Sequence, residues 1–370
     1  PAMRCLVVVA IVSLVCTPLL RAATPVRPDA IIQPIRVTNE IRIDGHLDED
    51  VWSGPGIHET FKTFNPTFGD DFDEETIVWT AYDDYALYFA FKCMDSMPDQ
   101  IKSSMSKRDS INRDDWVWIV LDSLGNLQST YEFYVNPHGI QLDGITSAVN
   151  AWTFDPSPDF VWDSAAVRTD YGHSVEIRIP LKSIRFVSGE SVPMYVMFLR
   201  KLTRTGRMAC WPEIAAGQNQ FQYMVPIVYE NLENRLNLEI LPSLAYNRTQ
   251  QRADNESWAP AEDDVNLGIS VKYGITSSIV AEATVNPDFS QIESDAFQVE
   301  VNQRYPVFYN EKRPFFMEAA DVLDFAIVRS GMMLSTIHTR NIADPDWAGK
   351  ISGTTGRLRF AGLVASDAAP

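Results

Sequence analysis

The stretch Ser174-Val175-Glu176-Ile177-Arg178-Ile179 decides the fold class of this chain. Apolar and polar side chains alternate along it, which is the period of a β-strand with one buried face. We therefore predict that Val175, Ile177 and Ile179 face the core and that Ser174, Glu176 and Arg178 face solvent.

Similar runs of β-branched and aromatic residues recur on both sides of this strand. They are separated by Asp, Gly, Asn and Pro turns, and no helical period intervenes. The runs are residues 76–82, 86–91, 116–121, 131–135 and 194–199. Many short strands without helices predict an all-β, antiparallel, jelly-roll-like sandwich of two sheets over residues 34–230.

The composition excludes two classes of protein. The chain has 370 residues, and its 31 basic and 49 acidic side chains give a formal net charge of −18. A nucleic-acid binder is excluded because phosphate recognition needs a basic face. Disorder is excluded because 9 Trp, 13 Tyr and 19 Phe supply a large apolar surface. Residues 40–99 hold 15 of the acids and only Arg42, Lys62 and Lys92 as bases, a pattern of solvated loops or of cation binding.

The N-terminus has the pattern of an export signal. Arg4 precedes an apolar run over residues 5–16, and a Pro and small residues lead to Ala22 and Ala23. This predicts a secretory signal peptide at residues 1–23 and a linker at 24–33, with an uncleaved anchor as the alternative. Cleavage would leave Cys93 and Cys210, for which bridged and free states both stay open.

Five ordered blocks then carry a family resemblance. They are Ile43-Asp44-Gly45-His46-Leu47-Asp48-Glu49-Asp50-Val51-Trp52, residues 81–88, residues 113–116, residues 131–139 and residues 176–180. Together they resemble carbohydrate-binding module family 9-like domains. The resemblance implies a jelly-roll-like sandwich, sugar binding and a structural calcium ion. Modules of this family are often attached to hydrolases, so it also suggests a link to carbohydrate catabolism.

Candidate ligand-binding residues follow from the chemistry of sugars, whose C–H faces stack on aromatic rings and whose hydroxyls need polar partners. The aromatic segment 150–163 offers Trp152 and Trp162, each with core packing as the alternative. Arg113, Asp114 and Asp115 precede a strand, where a turn role is equally open. The family-like block at 131–139 adds Asn136.

Hard oxygen ligands suit calcium, so acidic side chains are the candidate metal ligands. These candidates are Asp44, Asp48, Asp122, Asp143 and Asp163. They lack the spacing of an EF-hand loop, and the sequence has no Cys/His pattern of a zinc site. No catalytic residue can be singled out among so many carboxylates.

From residue 231 the pattern changes to longer alternating strands. Residues 236–246, 266–274 and 278–285 alternate over about ten positions, which is typical of a membrane β-barrel, with a second soluble β-domain as the alternative. Residues 283–295 and 302–318 are similar to the hallmark of a bacterial outer-membrane barrel domain of unknown function. We therefore expect residues 231–370 to be the first strands of such a barrel, in a sequence that is a fragment.

Charged and aromatic side chains in that hallmark have two interpretations. A charged cluster inside the barrel lumen would use Glu311, Lys312, Arg313 and Glu318. Alternatively, Phe315 and Phe316 belong to an interfacial aromatic girdle.

These observations predict carbohydrate binding by an exported sandwich on an outer-membrane protein in the bacterial cell envelope. Its partners would be an oligo- or polysaccharide and, through the barrel, outer-membrane lipid. Two alternatives remain. One is a glycoside hydrolase, which needs a pair of carboxylates. The other is a barrel transporter or assembly protein whose sandwich is a non-binding scaffold.

Overall fold

The computed structural model describes residues 5–13, 31–148, 154–156, 158–233, 238–250, 258, 261–276, 279–287, 313–317, 339, 342, 344–355 and 358–367. These residues fall into two compact units. The described part of residues 17–235 forms the first unit, and the described parts of 1–16 and 236–370 form the second.

Strands make up nearly all of the regular structure. In chain order they are β1 (Cys5–Ser13), β2 (Ile35–Arg36), β3 (Lys62–Asn65), β4 (Thr76–Tyr82), β5 (Ala86–Met94), β6 (Trp116–Asp122), β7 (Ser129–Val135), β8 (Gln141–Ser147), β9 (Phe154–Asp155), β10 (Asp163–Thr169), β11 (Gly172–Pro180), β12 (Gly189–Leu202), β13 (Arg207–Trp211), β14 (Val225–Leu232), β15 (Leu238–Thr249), β16 (Glu262–Thr276), β17 (Ile279–Val285), β18 (Pro345–Thr355) and β19 (Leu358–Asp367). Short 3-10 helices span Asp50–Ser53, Pro98–Gln100, Leu181–Ser183 and Gln220–Gln222, and one α-helical turn, α1, spans Pro314–Met317.

The first unit is a sandwich of two sheets, and the all-β prediction is confirmed. One sheet has the strand order β10-β11-β5-β4-β2, and the other has the order β3-β13-β12-β6-β7-β8-β9 with β14 paired to β12. The core between them is formed by inward side chains of both sheets, including Val175, Ile177 and Ile179 of β11. Alternation along each strand therefore predicts the inner faces correctly.

The prediction for the opposite face of β11 is wrong in part. Ser174 is 2% exposed and Glu176 is 0% exposed, so neither faces solvent. The opening segment, which we define as residues 35–53, begins as the edge strand β2 and then lies over the outer face of the five-stranded sheet. Its Ile41 and Trp52 pack there in an apolar cluster with strand residues such as Tyr88. A polar strand face can thus be buried because a distant part of the chain covers it.

The outer face of the eight-stranded sheet is also covered. Trp116 and Trp118 of β6 form an aromatic cluster with Tyr134 of β7. The Trp118 and Tyr134 rings stack at 4.6 Å between centroids and 14° between planes. This spacing leaves no room for a sugar between the two rings, so they are packing partners rather than an open clamp.

Both cysteines of the sandwich are free and buried. Cys93 lies in the core between the sheets, whereas Cys210 lies in an apolar cluster on the outer face of the eight-stranded sheet. Burial raises the pKa of the Cys93 thiol to about 11 and that of Cys210 to about 12. A bridge between them is therefore absent, and neither thiol is prepared for reaction at neutral pH.

The second unit contains one antiparallel sheet with the order β1-β19-β18-β17-β16-β15. The apolar run that predicts a signal peptide forms β1 and pairs with β19, and the processing of this segment stays a prediction. Large apolar side chains on several strands of this sheet are exposed: Leu244, Leu267, Ile269, Tyr273, Val285, Trp347 and Ile351. Polar side chains of the same sheet are buried: Thr284, Lys350, Ser352, Ser366 and Asp367.

The buried polar side contacts α1. Lys350 pairs with Glu282 at 3.2 Å and donates to the backbone carbonyl of Phe315. Arg313 is 9% exposed and donates to the backbone carbonyl of Thr339 at 2.8 Å. Glu311, Lys312 and Glu318 lie outside the described residues, so the predicted charged cluster is only represented by Arg313. In the part of the chain that the structure describes, no helix is long and apolar enough to cross a membrane.

Candidate functional site

A cleft of about 610 Å³ opens in the first unit where the opening segment meets β8, β10 and β11. Its wall on one side is formed by residues 40–43, and its other side comes from the first residues of β8 and β10. It is lined by Glu40, Ile41, Arg42, Ile43, Gln141, Trp162, Asp163, Ser164 and Arg178. The cleft is therefore built from four segments, of which residues 40–43 are distant in sequence from the other three.

Arg178 joins the two walls of this cleft. Alternation along β11 places it on the strand face opposite the core. Its guanidinium donates to Asp163 at 3.0 Å and pairs with Glu40 at 3.1 Å. Burial lowers the pKa of Arg178, but Tyr88, Asp163 and Glu40 more than offset this effect and raise it above its ordinary value. The guanidinium is therefore a permanent positive charge at the centre of the cleft.

Trp162 and the polar groups beside it form the inner surface of the cleft. Trp162 is only 4% exposed, and its ring meets that of Phe133 edge to face at 5.1 Å. Gln141 donates from its amide to the Trp162 carbonyl at 3.0 Å, and Ser164 donates to the Gly139 carbonyl at 3.1 Å. The structure favours core packing for Trp162, because its ring is buried in the apolar core between the two sheets and packs on Phe133.

An arginine behind the cleft fixes the loop that carries Trp162. Arg108 pairs with Asp159 at 3.1 Å and with Asp143, and it donates to the Phe160 carbonyl at 2.9 Å. Asp143 in turn accepts from the Phe160 amide at 2.7 Å. Burial raises the pKa of Asp143, and the Phe160 amide and Arg108 offset part of this shift. Asp143 therefore anchors the loop rather than facing the cleft.

The second group of predicted ligand-binding residues forms an internal network. Asn136 donates from its amide to Asp114 at 2.8 Å, and Asp114 accepts from the backbone amide of Ser104 at 3.1 Å. Asp115 accepts from the backbone amide of Thr203 at 2.6 Å. These three side chains are at most 3% exposed. The structure thus favours the turn role for Asp114 and Asp115, and Asn136 serves the same loops, because their polar atoms are already satisfied inside the protein.

Of the other two predicted ligand-binding residues, the structure describes only Arg113, which does not line the cleft. Arg113 is exposed beside this network. Trp152 lies outside the described residues.

The five predicted metal ligands are spread over the sandwich. Asp44 pairs with Arg42 at 3.4 Å, Asp48 is exposed, and Asp163 pairs with Arg178. Asp122 is fully buried and accepts from the backbone amides of Leu124 and Leu127 at 3.1 and 2.6 Å, which makes it a turn residue.

These positions do not fit a common calcium site. Among the described residues, no three His, Cys, Asp or Glu side chains form a group that could hold a metal ion. Calcium binding stays a prediction.

The sequence interpretation identified Trp162 and Asp163 at this site but missed Glu40, Gln141 and Arg178 as lining residues. Arg178 had one usable signal, since it is the one arginine in an alternating strand and stands on the same face as Glu176. Glu40 had none, because its place in the cleft depends on how the opening segment docks.

Comparison with protein families divides the chain in a similar way. The model of the carbohydrate family 9 binding domain-like family matches residues 43–225. A domain of unknown function (DUF5916) matches residues 234–328. No curated protein matches the chain.

Three solved structures are similar to part of the chain. A carbohydrate-binding module of family 9 from Caldicellulosiruptor kristjanssonii in complex with glucose is 17% identical, with 56% of this chain and 97% of that chain covered and a TM-score of 0.37. Its complex with cellotriose gives 17% identity, 56% and 95% coverage and a TM-score of 0.37. A Bacteroides uniformis protein assigned to carbohydrate binding gives 14% identity, 54% and 99% coverage and a TM-score of 0.41.

Proposed function

We propose, from the membership of residues 43–225 in the carbohydrate family 9 binding domain-like family, that this chain binds a neutral oligosaccharide in the cleft around Arg178. The observation that carries the proposal is this cleft with its ordered polar groups, because all of its lining residues except Glu40, Ile41 and Arg42 lie within the family-matched range. The cleft volume of about 610 Å³ lies within the range of small-molecule sites.

The lining suits a ligand that carries hydroxyl groups and has no net charge. Glu40 and Asp163 offset Arg42 and Arg178, so the four ionic side chains sum to zero. Carboxylates accept hydrogen bonds, the guanidinium donates them, and a sugar hydroxyl can do both. A neutral sugar can therefore join the existing ion pairs, whereas a polyanionic glycan would meet Glu40 and Asp163 unfavourably.

The apolar part of the lining is small. Ile41 and Ile43 line one wall, but Ile41 is 6% exposed and Trp162 is 4% exposed, so these two side chains offer little surface to the C–H face of a sugar ring. The cleft is more polar than the usual small-molecule site, and hydrogen bonds would contribute most of the recognition. Trp152 is a further candidate platform that follows from the sequence alone.

Binding without hydrolysis is the better supported activity. A glycosidase needs one buried carboxyl that acts as general acid, paired with a second carboxylate across the substrate. The two carboxylates of the cleft, Glu40 and Asp163, have side chains that are 69% and 59% exposed, and both pair with Arg178. The buried carboxyls whose pKa is raised most, Glu132 and Glu176, are hydrogen-bonded within the protein and do not line the cleft.

For the second unit we propose insertion into the bacterial outer membrane as strands of a β-barrel, after export by the predicted signal peptide. The support is a burial pattern opposite to that of a soluble sheet. Apolar side chains such as Leu244 and Leu267 are exposed, and polar side chains such as Thr284 and Lys350 are buried. Lipid-facing strands alternate in this way, with apolar residues outside and polar residues inside. The sandwich would then serve carbohydrate capture at the cell envelope, in support of carbohydrate catabolism.

The test is binding of the full chain, in mild detergent, to an array of neutral and carboxylated oligosaccharides that includes cellotriose. We expect signal on neutral glycans, loss of at least tenfold in Arg178→Gln, and no change in Arg36→Gln. Arg36 is a matched control because it pairs with Asp84 at 2.7 Å on the surface and does not line the cleft. Absence of signal with and without added calcium would favour the scaffold alternative.

A further inference from the structure

The segment Arg313-Pro314-Phe315-Phe316 belongs to the hallmark of the second unit, and it lies on one face of the sheet there. We define the polar face of that sheet by Thr284, Lys350 and Ser352, which are at most 4% exposed. Lys350 donates to the backbone carbonyl of Phe315, so the α1 turn is on this face. Ile351 stands between Lys350 and Ser352 in β18 and therefore points to the opposite, apolar face.

Phe316 anchors the turn on the polar face through apolar packing. Its side chain is 1% exposed and lies in a cluster with Ile342, Ala348, Leu363 and Ala365. Ala348 and Ala365 stand directly opposite each other on β18 and β19, so two small side chains leave room for the ring. A ring that is buried in this way does not fit the aromatic-girdle interpretation.

Arg313 connects the α1 turn to the chain before β18. Its guanidinium donates to the backbone carbonyl of Thr339 at 2.8 Å and to that of Ile342. The Ile342 amide donates to the Thr339 carbonyl at 2.9 Å, so these two residues belong to one further turn. The central carbon of the guanidinium lies 4.3 Å from the centroid of the Phe316 ring, which adds a cation–π contact.

A row of alternating charges crosses the polar face beside the α1 turn. Its members are Glu239 on β15, Lys272 on β16, Glu282 on β17 and Lys350 on β18, and each stands directly opposite the next. Such cross-strand pairs of opposite charge are favourable. Lys272 has an acid on both neighbouring strands, whereas the partner of Lys350 on β19 is Leu363. Leucine has no acceptor in its side chain, so the acceptor on that side of Lys350 comes from the α1 turn.

The contacts of Lys350 join the sheet to the turn. Its ammonium nitrogen lies 3.2 Å from the Glu282 carboxylate and 5.0 Å from the centroid of the Phe315 ring, and it donates to the Phe315 carbonyl. The side chains of Lys350 and Glu282 are 1% and 9% exposed. Burial of an ammonium is costly without acceptors, so displacement of the turn would remove part of what compensates this burial.

We propose that residues 313–317 are a plug that is folded onto the polar face of the second sheet, and that Lys350 is the residue that holds the plug there. In a membrane barrel the polar face of the strands lines the lumen. The plug then lies inside the lumen and obstructs passage of solutes. This obstruction rests on the proposed membrane function, whereas the attachment by Lys350 does not.

Amide hydrogen exchange of the full chain in mild detergent tests the attachment. The comparison uses Glu282→Gln and the double variant Lys350→Met/Glu282→Gln, which differ only at Lys350 and leave no carboxylate at position 282. On peptides that cover residues 313–317, we expect the double variant to lose about tenfold in protection relative to Glu282→Gln. The Phe316 amide, which donates to the Arg313 carbonyl at 2.9 Å, reports on the turn itself. Glu282→Gln should exchange like the wild type, because Lys350 still reaches the Phe315 carbonyl.

The amides that pair β18 with β19 are the internal control for folding. They should stay protected in both variants, since the backbone pairing of these strands does not use the side chains at positions 282 and 350. Equal protection of residues 313–317 in the two variants would overturn the role of Lys350. Loss of protection in β18 and β19 together with the turn would overturn it as well, because Lys350 would then be needed by the sheet rather than by the plug.

Efflux of potassium ions from phosphatidylcholine vesicles that carry the full chain tests the obstruction. At equal amounts of inserted protein, measured by flotation, we expect efflux to be several-fold faster with the double variant than with Glu282→Gln. Equal efflux with the two variants would overturn the obstruction. Absence of the chain from floated vesicles would contradict the proposed membrane insertion and the obstruction with it, and the exchange profile would still decide the attachment by Lys350.

Discussion

Arg204 binds Asp95 through two hydrogen bonds from one guanidinium nitrogen, at 2.7 and 2.6 Å, and thereby connects the turn after β12 to the end of β5. The two strands belong to different sheets, so this pair fastens one end of the sandwich. The Asp95 side chain is 0% exposed, and Glu74 also pairs with Arg204. Removing the arginine would leave Glu74 without this counter-charge and Asp95 with only the longer contact to Arg200 at 3.9 Å.

We therefore expect Arg204→Ala to lower the free energy of unfolding by about 3–5 kcal/mol, the usual cost of removing one partner of a buried ion pair. Urea denaturation monitored by tryptophan fluorescence measures this change. The exposed pair of Arg36 and Asp84 provides the control, because Arg36→Ala should cost about 1 kcal/mol or less. Equal changes in the free energy of unfolding for the two substitutions would show that the Arg204 pair contributes no more to stability than a surface ion pair.

Glu132 gives a prediction on pH. Burial raises its pKa from 4.5 to about 7, and the hydroxyls of Thr146, Tyr134 and Thr130 and the Trp118 indole offset part of the shift. The folded state binds this proton more tightly than the unfolded state, so the contribution to stability is present below about 4.5 and is lost as pH rises through about 7.

Glu132→Gln removes this dependence. Relative to the wild type, the variant should gain on the order of 3 kcal/mol between pH 4.5 and pH 8, from about 1.36 kcal/mol per pKa unit. Urea midpoints at the two pH values provide the measurement. A difference between variant and wild type that stays constant with pH would contradict a buried titrating carboxyl at this position.

His173 should make the protein sensitive to acid. Neither ring nitrogen has a hydrogen-bond partner, and the side chain is 1% exposed. Burial, together with the charges of Arg200 and Arg168, holds the pKa of His173 well below 6.5. The unfolded chain therefore gains a proton below about pH 6.5 that the folded chain does not, and stability falls as pH falls through that range.

Replacement by an apolar ring tests this effect. His173→Phe should lose less stability than the wild type between pH 7 and pH 5, as measured by thermal unfolding at each pH. The exposed His138, changed to Phe, is the control and should leave the pH dependence unaltered. Parallel loss of stability in wild type and His173→Phe would show that other groups cause the acid sensitivity.

The proposed membrane face predicts an asymmetry between neighbouring positions of β16. Leu267 is 66% exposed, whereas Asn266 points to the opposite face of the sheet. Leu267→Lys should reduce insertion into phosphatidylcholine vesicles several-fold, because a lysine facing lipid costs about 2–4 kcal/mol at the bilayer centre. Asn266→Lys should insert like the wild type. Flotation of the vesicles measures the inserted fraction, and equal flotation of both variants would argue against a lipid-facing side.

The sequence predicts the inner core well, because alternation reports directly on which side chains share a face. Val175 and Ile177 are examples. The sequence also predicts the turn between β4 and β5, where the Asp83 carboxylate accepts hydrogen bonds from the backbone amides of Tyr85 and Ala86. Alternation does not report whether a second layer covers the other face. Glu176 is buried for this reason although its pattern is that of a solvent-facing residue.

The candidate site was predictable only where its residues share one segment. Trp162 and Asp163 stand together in an aromatic, acidic loop, and this composition alone marks them as candidates. Gln141 and Arg178 come from neighbouring strands, and the wall at residues 40–43 docks from about a hundred residues or more away in the sequence. Asp114 and Asn136 were predicted to bind ligand from their position next to strands. In the structure they hydrogen-bond to each other, so these polar atoms do not face a ligand.

The link between Trp52 and Glu176 spans 124 positions of the chain, and this has a consequence for the order of folding. During synthesis the opening segment leaves the ribosome well before β11 exists, so it has no surface on which to dock. Contacts of such long sequence separation form late, because the intervening loop must close first. This early-made segment is therefore among the last to become ordered, and until then the outer face of the five-stranded sheet is an exposed apolar surface that a chaperone can bind.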